Sequence, residues 1–215
     1  MHQGPLAQQH LQQKGGFNDD RLADCSLPTL YASGTDWLRV VVEKSDLSQS
    51  NLSQACLREA TFANTALRGA RLRGARLERV EIYFSDLNEL DAAGISARRV
   101  KIHACEAMNS IFSAAQIAVC RFEDTKMYRA KFDNALILRT SFLDGKLGGA
   151  SLEKADFTAA RLVDVSLRGS NLMGAVFKNA TLIGVDFTEA ALEGADFRGA
   201  TTIACTFPRG YVLSV

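Results

Sequence analysis

A period of five residues constrains this sequence more than any other feature. Counting in fives from Phe17 to Phe207 gives 39 positions, of which 38 are apolar and 27 are Leu or Phe. Eleven of the twelve Phe residues fall in this register, and no insertion shifts its phase. A period of five matches neither an α-helix nor a β-strand. It predicts a short unit, repeated many times, that sends equivalent side chains into one continuous core.

A small residue, often Ala, stands two positions before most of the large apolar residues. The regularity is clearest between Ala150 and Ala200, where every large position is Leu or Phe. The residue between the two is often Asp or Asn. Examples are SDL (45–47), SNL (50–52), ADF (155–157), SNL (170–172), VDF (185–187) and ADF (195–197).

This A-(D/N)-L-x-x pattern resembles the pentapeptide repeat family. The resemblance covers residues 45–207 and, more loosely, 17–44. It implies an all-β fold, a right-handed quadrilateral parallel β-helix (a solenoid). Each coil would have one pentapeptide per side, and the chain would form roughly nine to ten coils.

The register also divides the chain. We expect a single repeat domain over residues 15–207. Residues 1–14 are rich in Gln and lack the period, which predicts a disordered arm or a loose cap. Residues 15–44 keep the phase with irregular small positions and should form an irregular first coil or a cap, because a solenoid end needs a cover. A proline and a glycine near the end should stop strand stacking, leaving 208–215 as a C-terminal cap.

Residues 88–109 are the least regular part of the register. Ala92 and Ala97 replace the large residue, while Leu90 and Ile95 replace the small residue before it. This exchange roughly conserves core volume. We therefore expect the coil to continue with a local bulge or twist, and a projecting loop is the alternative.

Charge and hydropathy exclude several classes of protein. The net charge is +1, from 25 basic and 24 acidic residues. This balance argues against a nucleic-acid binder and against an acidic mimic of one. No apolar run approaches the ~20 residues of a membrane span, and the N-terminal stretch lacks the apolar segment of a secretory signal. We expect no membrane contact and a cytoplasmic location, with export by a dedicated secretion system as an alternative.

The five cysteines favour structural thiols in a reducing compartment. Cys25, Cys105, Cys120 and Cys205 stand at the small inward position, whereas Cys56 comes one position later and should face outward. An odd count without a C-x-x-C motif argues against disulfides or a metal site. We expect neither a metal nor a cofactor.

No residue pattern indicates catalysis, so an enzyme is not expected. His2 and His10 lie in the N-terminal arm. His103 should face outward one coil from Glu123, which predicts a hydrogen-bonded surface pair rather than a general base. The polar residue before Leu or Phe is expected to bond to turn backbone. This set comprises Asp46, Asn51, Asp86, Asp156, Asn171, Asp186 and Asp196.

Two surface features are candidate interaction sites. The first is an apolar column of residues spaced twenty apart, which could serve a partner or a dimer, or be a structural ladder. It comprises Leu143, Val163, Ile183 and Ile203, with Tyr211 and Leu213 near the C-terminal end as further candidates. The second is a basic patch, either a solvated surface with weak ion pairs or a site for an acidic partner. It comprises Arg58, Arg68, Arg71, Arg73, Arg76 and Arg79.

The functional hypothesis is a non-catalytic protein–protein interaction module or scaffold. The family resemblance implies bacterial examples, such as secretion-system accessory or effector-associated proteins. The alternative is the branch that interacts with DNA gyrase and confers resistance to quinolones or topoisomerase toxins; the near-zero net charge ranks it second. Expected partners are a protein of unknown identity and a second copy, through the C-terminal end or the apolar column. Nucleic acid is not an expected partner.

Overall fold

The computed structural model describes residues 4–213, with side chains from residue 6 onward. Residues 1–3 and 214–215, which belong to the predicted arm and the predicted C-terminal cap, lie outside the described residues. The chain forms an all-β solenoid of about nine turns, as the family resemblance implied. Almost all regular structure is three-residue parallel strands, each paired with the strand twenty residues further along.

The described residues form one helix and seventeen three-residue strands. In chain order they are α1 (Gly4–Lys14), β1 (Gly16–Asn18), β2 (Arg21–Ala23), β3 (Asp36–Leu38), β4 (Val41–Glu43), β5 (Cys56–Arg58), β6 (Thr61–Ala63), β7 (Arg76–Glu78), β8 (Glu81–Tyr83), β9 (Ser96–Arg98), β10 (Lys101–His103), β11 (Gln116–Ala118), β12 (Arg121–Glu123), β13 (Leu136–Leu138), β14 (Ser141–Leu143), β15 (Arg161–Val163), β16 (Thr181–Ile183) and β17 (Thr201–Ile203).

Four ladders run along the rod and define four faces. Face A is the seven-stranded sheet that begins at residues 16–18, and face B is the ten-stranded sheet that begins at residues 21–23. Faces C and D, centred first on Leu27 and Ala32, are held by single parallel bridges at twenty-residue intervals. Residues twenty apart therefore lie above one another on the same face.

The core confirms the predicted register. The large residues are buried from Phe17 to Phe197, while Thr202 and Phe207 in the last coil are half-buried. Phenylalanines twenty residues apart stack on one another; Phe157 and Phe177, for example, have ring centroids 5.0 Å apart. The repeated unit thus builds one apolar core along the length of the rod.

Turn chemistry explains the polar residue that precedes Leu or Phe. On faces C and D the amide three residues after the large residue donates to its carbonyl, as Ala55 does to Leu52 at 3.1 Å. The Asp46 carboxylate accepts a hydrogen bond from the Ser48 amide at 2.8 Å. All seven residues predicted for this role make the equivalent bond, which confirms that they bond to nearby turn backbone.

Each corner of the coil lies two residues after a large residue and has a positive φ. From Asp19 to Ala204 every such residue has a φ between 46° and 71°. Gly, Asn and Asp tolerate this left-handed conformation, whereas a β-branched side chain at φ > 0 is strained. Val119, with a φ of 58°, is such a residue, and its side chain is half exposed.

We expect Val119→Asn to raise the free energy of unfolding by about 1 kcal/mol, because Asn relieves the left-handed strain. Urea denaturation followed by circular dichroism measures the change. Val41→Asn is the matched control, because Val41 lies half-exposed within β4, where a β-branched residue is favourable. That control should lower the stability, and a loss of stability in both variants would show that the corner is not strained.

The coil continues through residues 88–109 without a projecting loop. Strands β9 and β10 and the bridges Asp86↔Glu106 and Asp91↔Ile111 keep the spacing of the other coils. The core of these and the neighbouring coils holds an apolar cavity of about 40 Å³. Residues between Leu52 and Phe122 line it, and they include Leu90, Ala92, Ile95 and Ala97.

The N-terminal end of the solenoid is covered by a helix, where the sequence predicted a disordered arm or a loose cap. Helix α1 buries Ala7 and Leu11 in the core, and His10 stacks on Phe17 at 5.0 Å. The Gln8 amide donates to the Tyr31 carbonyl at 2.8 Å and accepts from the Tyr31 amide at 3.0 Å. This side chain bonds the backbone groups that a preceding coil would otherwise pair.

Residues 15–44, where an irregular first coil or a cap was predicted, form β1–β4 with regular spacing.

The C-terminal end has a smaller cover. The Tyr211 ring stacks on Phe207 with centroids 5.6 Å apart, and the Tyr211 amide donates to the Pro208 carbonyl at 3.0 Å. Leu213 is partly buried against the core. Within residues 4–213, the amides of Leu192 and Phe197 donate to no backbone carbonyl, so part of the last coil presents an open strand edge.

Candidate interaction surfaces

The apolar column lies on face B, as predicted. Strand pairing aligns Leu143 with Val163, Val163 with Ile183, and Ile183 with Ile203. The first three are half exposed and Ile203 is 53% exposed. In the preceding coils the same column holds Tyr83, His103 and Glu123.

Tyr211 and Leu213 do not extend this column. The Tyr211 ring continues the core stack through Phe207, and Leu213 packs against the core rather than on face B. Burial raises the pKa of the Tyr211 hydroxyl. The structure therefore assigns these two residues to the end of the rod, separate from the column.

His103 does not form the predicted hydrogen bond with Glu123. The His103 Nδ1 atom lies 3.8 Å from Glu123 Oε2, too far for a hydrogen bond, and bonds to nothing else in the described part of the chain. Arg121 holds Glu123 instead, with Nε 3.0 Å from Oε2, and this bond lowers the pKa of Glu123. Burial and a hydrogen bond to Glu81 raise the pKa of Tyr83 in the same region to about 12.

The six arginines of the predicted basic patch lie on different faces. Three of them form ion pairs with neighbouring carboxylates, and three form none within the described residues. Arg68 lies on face C, where it pairs with Asp86 at 3.3 Å and with Glu89 at 2.8 Å. Arg73 on face D pairs with Asp91, and Arg79 at the corner after face A pairs with Glu59 at 3.1 Å. These three arginines are neutralised by neighbours and do not form a common surface.

The other three arginines of the patch have no ion pair within residues 4–213. Arg58 and Arg76 are exposed on face A, and Arg71 is exposed on face D. Arg98 belongs with them on face A, since strand pairing aligns Arg58 with Glu78 and Glu78 with Arg98. Charges of opposite sign alternate along this column, yet none of the three side chains pairs with another described residue. Arg98 was not included in the predicted basic patch, although the twenty-residue spacing places it in one column with Arg58 and Glu78.

A depression of about 310 Å³ opens on face A between these arginines. Its polar lining consists of Cys56, Arg58, Arg76, Glu78, Ser96 and Arg98. The floor is the backbone of β5, β7 and β9, with Leu77 beneath. The depression is therefore rich in unpaired cationic donors.

The cysteines are free thiols placed as the sequence predicted. Cys25, Cys105 and Cys120 are buried, while Cys205 and the outward-facing Cys56 are half buried. Burial raises the pKa of the Cys105 thiol to about 11, and burial also raises that of Cys120.

The described residues contain no group of three His, Cys, Asp or Glu side chains arranged to hold a metal ion. No helix in residues 4–213 is long and apolar enough to cross a bilayer.

These features define a repeat protein of the β-solenoid class whose chemistry lies on its outer faces. The model of the pentapeptide repeats matches in eight copies over residues 32–62, 45–81, 55–91, 141–172 and 160–199. The chain belongs to the pentapeptide repeat family. No curated protein sequence matches it.

Two solved structures are similar over most of their length. HetL is a pentapeptide repeat protein involved in heterocyst differentiation regulation in the cyanobacterium Nostoc sp. strain PCC 7120. It matches with 19% identity, covering 99% of this chain and 100% of its own, at a TM-score of 0.51. QnrB1, a plasmid-mediated fluoroquinolone resistance protein, matches with 18% identity over 87% of this chain and 93% of its own, at a TM-score of 0.50. At these identities the likeness shows the shared fold.

Proposed function

We propose that this chain is a non-catalytic protein–protein interaction module that binds a protein partner through the apolar column of face B. The observation that carries the proposal is the run of Leu143, Val163, Ile183 and Ile203 on four consecutive paired strands. A contiguous strip of partly exposed apolar side chains favours an interface.

The fold itself does not demand apolar residues at these positions. In the N-terminal coils of the same face, the column holds Ala23, Glu43 and Ala63, and it then holds Tyr83, His103 and Glu123. All are accommodated by the same strand pairing. An apolar run confined to the last four coils is therefore better explained by binding than by the needs of the ladder.

The column would be the centre of a larger interface. Strands stacked about 4.8 Å apart place its four residues along roughly 15 Å. Such a strip is too small for a stable interface alone, and energetic hot spots are commonly surrounded by polar contacts that exclude water. Thr181 and Thr201, which precede the column residues on β16 and β17, supply such neighbours.

Several kinds of partner are compatible with this interface. QnrB1 is a fluoroquinolone resistance protein and HetL takes part in heterocyst differentiation regulation, so this fold serves different functions. The experiments below distinguish three kinds of partner: a secretion-system or effector protein, DNA gyrase, and a second copy of the chain.

The test is the double variant Val163→Lys/Ile183→Lys. Two lysines in the column should weaken partner binding at least about a hundredfold, because their charges would have to be desolvated in the interface. Both side chains are half exposed on β15 and β16, so folding should be nearly unchanged. Binding is measured by capture from a bacterial lysate, followed by titration of the captured protein once purified.

Ala23→Lys/Ala63→Lys is the matched control. It adds the same charge at the same column position in the N-terminal half of face B. Sedimentation of both variants tests the second copy as partner, and a supercoiling assay with purified gyrase tests that enzyme. The proposal is wrong if the Val163→Lys/Ile183→Lys variant keeps every partner and the oligomeric state of the wild type.

A further inference from the structure

Three arginines without an ion pair in the described residues lie together on face A of this nearly neutral protein. Arg58, Arg76 and Arg98 line the depression on face A, and exposed Arg71 lies on the adjoining face D. Elsewhere, arginines with a carboxylate in reach pair with it, as Arg68 does with Glu89 at 2.8 Å and Arg79 with Glu59 at 3.1 Å. The cationic character of the depression is therefore local and does not follow from the net charge of +1.

Glu78 does not neutralise the depression. It stands between Arg58 and Arg98 in the ladder, yet forms no ion pair with either in the described structure. Three arginines and one glutamate line the depression, which leaves an excess of positive charge. Each guanidinium keeps the donor fork that binds a carboxylate in a bidentate manner.

We propose that the depression on face A binds a short acidic segment of another protein, with its carboxylates held by Arg58, Arg76 and Arg98. Ser96 adds a hydroxyl to the lining. This site lies on a different face from the apolar column, so the proposal goes beyond the proposed function and does not depend on it.

The dimensions favour a peptide over a nucleic acid. Arg58 and Arg98 are two coils apart, about 10 Å at the usual strand spacing. In an extended peptide, carboxylates on the same side of the chain are about 7 Å apart. Two such carboxylates therefore fit within the distance between Arg58 and Arg98. Nucleic-acid sites generally contact more phosphates and stack bases on aromatic rings. No aromatic residue lines this depression in the described structure.

The experiment is a titration of fluorescein-labelled hexaglutamate, followed by fluorescence anisotropy at low ionic strength. We expect the wild type to bind and Arg58→Gln/Arg98→Gln to bind about tenfold or more weakly, because two charge-assisted contacts are lost. Arg68→Gln/Arg73→Gln is the matched control, since it removes the same charge from arginines on faces C and D that are already paired. Its affinity should stay within roughly twofold of the wild type.

Glu78→Gln gives a result of opposite sign. Removing the one carboxylate from the depression should tighten hexaglutamate binding several-fold, an effect that a merely structural role for Glu78 would not produce. The Val163→Lys/Ile183→Lys variant should bind the peptide like the wild type, which separates this test from that of the proposed function.

Three results would overturn the proposal. The first is no binding of hexaglutamate to the wild type at about millimolar concentration. The second is an equal loss of affinity in the paired-arginine control, which would show a general charge effect. The third is binding of labelled hexathymidylate as tight as that of the peptide and equally sensitive to Arg58→Gln/Arg98→Gln, which would assign the depression to nucleic acid.

Discussion

Replacing Phe177 with Ala is expected to lower the free energy of unfolding by about 3–5 kcal/mol, the largest effect of any single substitution considered. The ring is fully buried between Phe157 and Phe197, with centroid distances of 5.0 and 4.9 Å. Phe187 contacts its edge at 5.9 Å. Truncation would remove these contacts and leave a cavity that the rigid backbone ladder on every side could fill only in part.

Phe84→Ala is the control for this experiment. Phe84 is the one phenylalanine outside the register, and it is 60% exposed at a corner. Its removal should change the stability by no more than about 0.5 kcal/mol. Urea unfolding is followed by circular dichroism and by the fluorescence of Trp37, which lies at the opposite end of the rod. Equal losses for Phe177→Ala and Phe84→Ala would contradict the assigned core.

The second large effect is expected at the N-terminal cover. Leu11 is 4% exposed on the inner side of α1. Leu11→Asp would place a carboxylate in this apolar contact, so α1 should undock from the solenoid rather than bury the charge. We expect a loss of about 2–3 kcal/mol in the local stability of the first coil, from the lost burial of Leu11 and its neighbours.

Amide hydrogen exchange is the appropriate measurement, because a solenoid can open at one end while the remaining coils stay folded. Amides of β1 and β3 should exchange about thirty- to a hundredfold faster in Leu11→Asp, and those of β14–β16 should not change. Gln12→Asp supplies the control, since Gln12 is exposed on the same helix. If β1 and β3 keep their protection in Leu11→Asp, α1 is not what stabilises this end.

The surface columns could be predicted because they depend only on the register. Leu143, Val163, Ile183 and Ile203 are spaced by twenty residues, and a four-sided coil places residues with that spacing above one another. The turn-bonding role of Asp46 and its equivalents could be predicted for a similar reason. Each of these hydrogen bonds joins a side chain to the amide only two residues further along the chain.

The N-terminal helix and the core cavity could not be predicted in this way. Helix α1 has a weak apolar pattern and is stabilised by its contact with the first coil, through Leu11, Ala7 and the paired amide of Gln8. The cavity depends on how the side chains that line it, Leu90 and Ile95 among them, pack against one another in the core. Both depend on tertiary contacts that a periodic pattern does not contain.

The sequence by itself determined the backbone of this protein, because one turn every five residues, kept in a single phase, places every residue inward, outward or at a corner. Only the tertiary structure decided which outward charges are free. Arg58 and Arg68 occupy the same position in the repeat, yet Arg68 reaches Asp86 and Glu89 while Arg58 pairs with no described residue. Ion pairing depends on how flexible side chains bend between neighbouring coils, and the period carries no information about that.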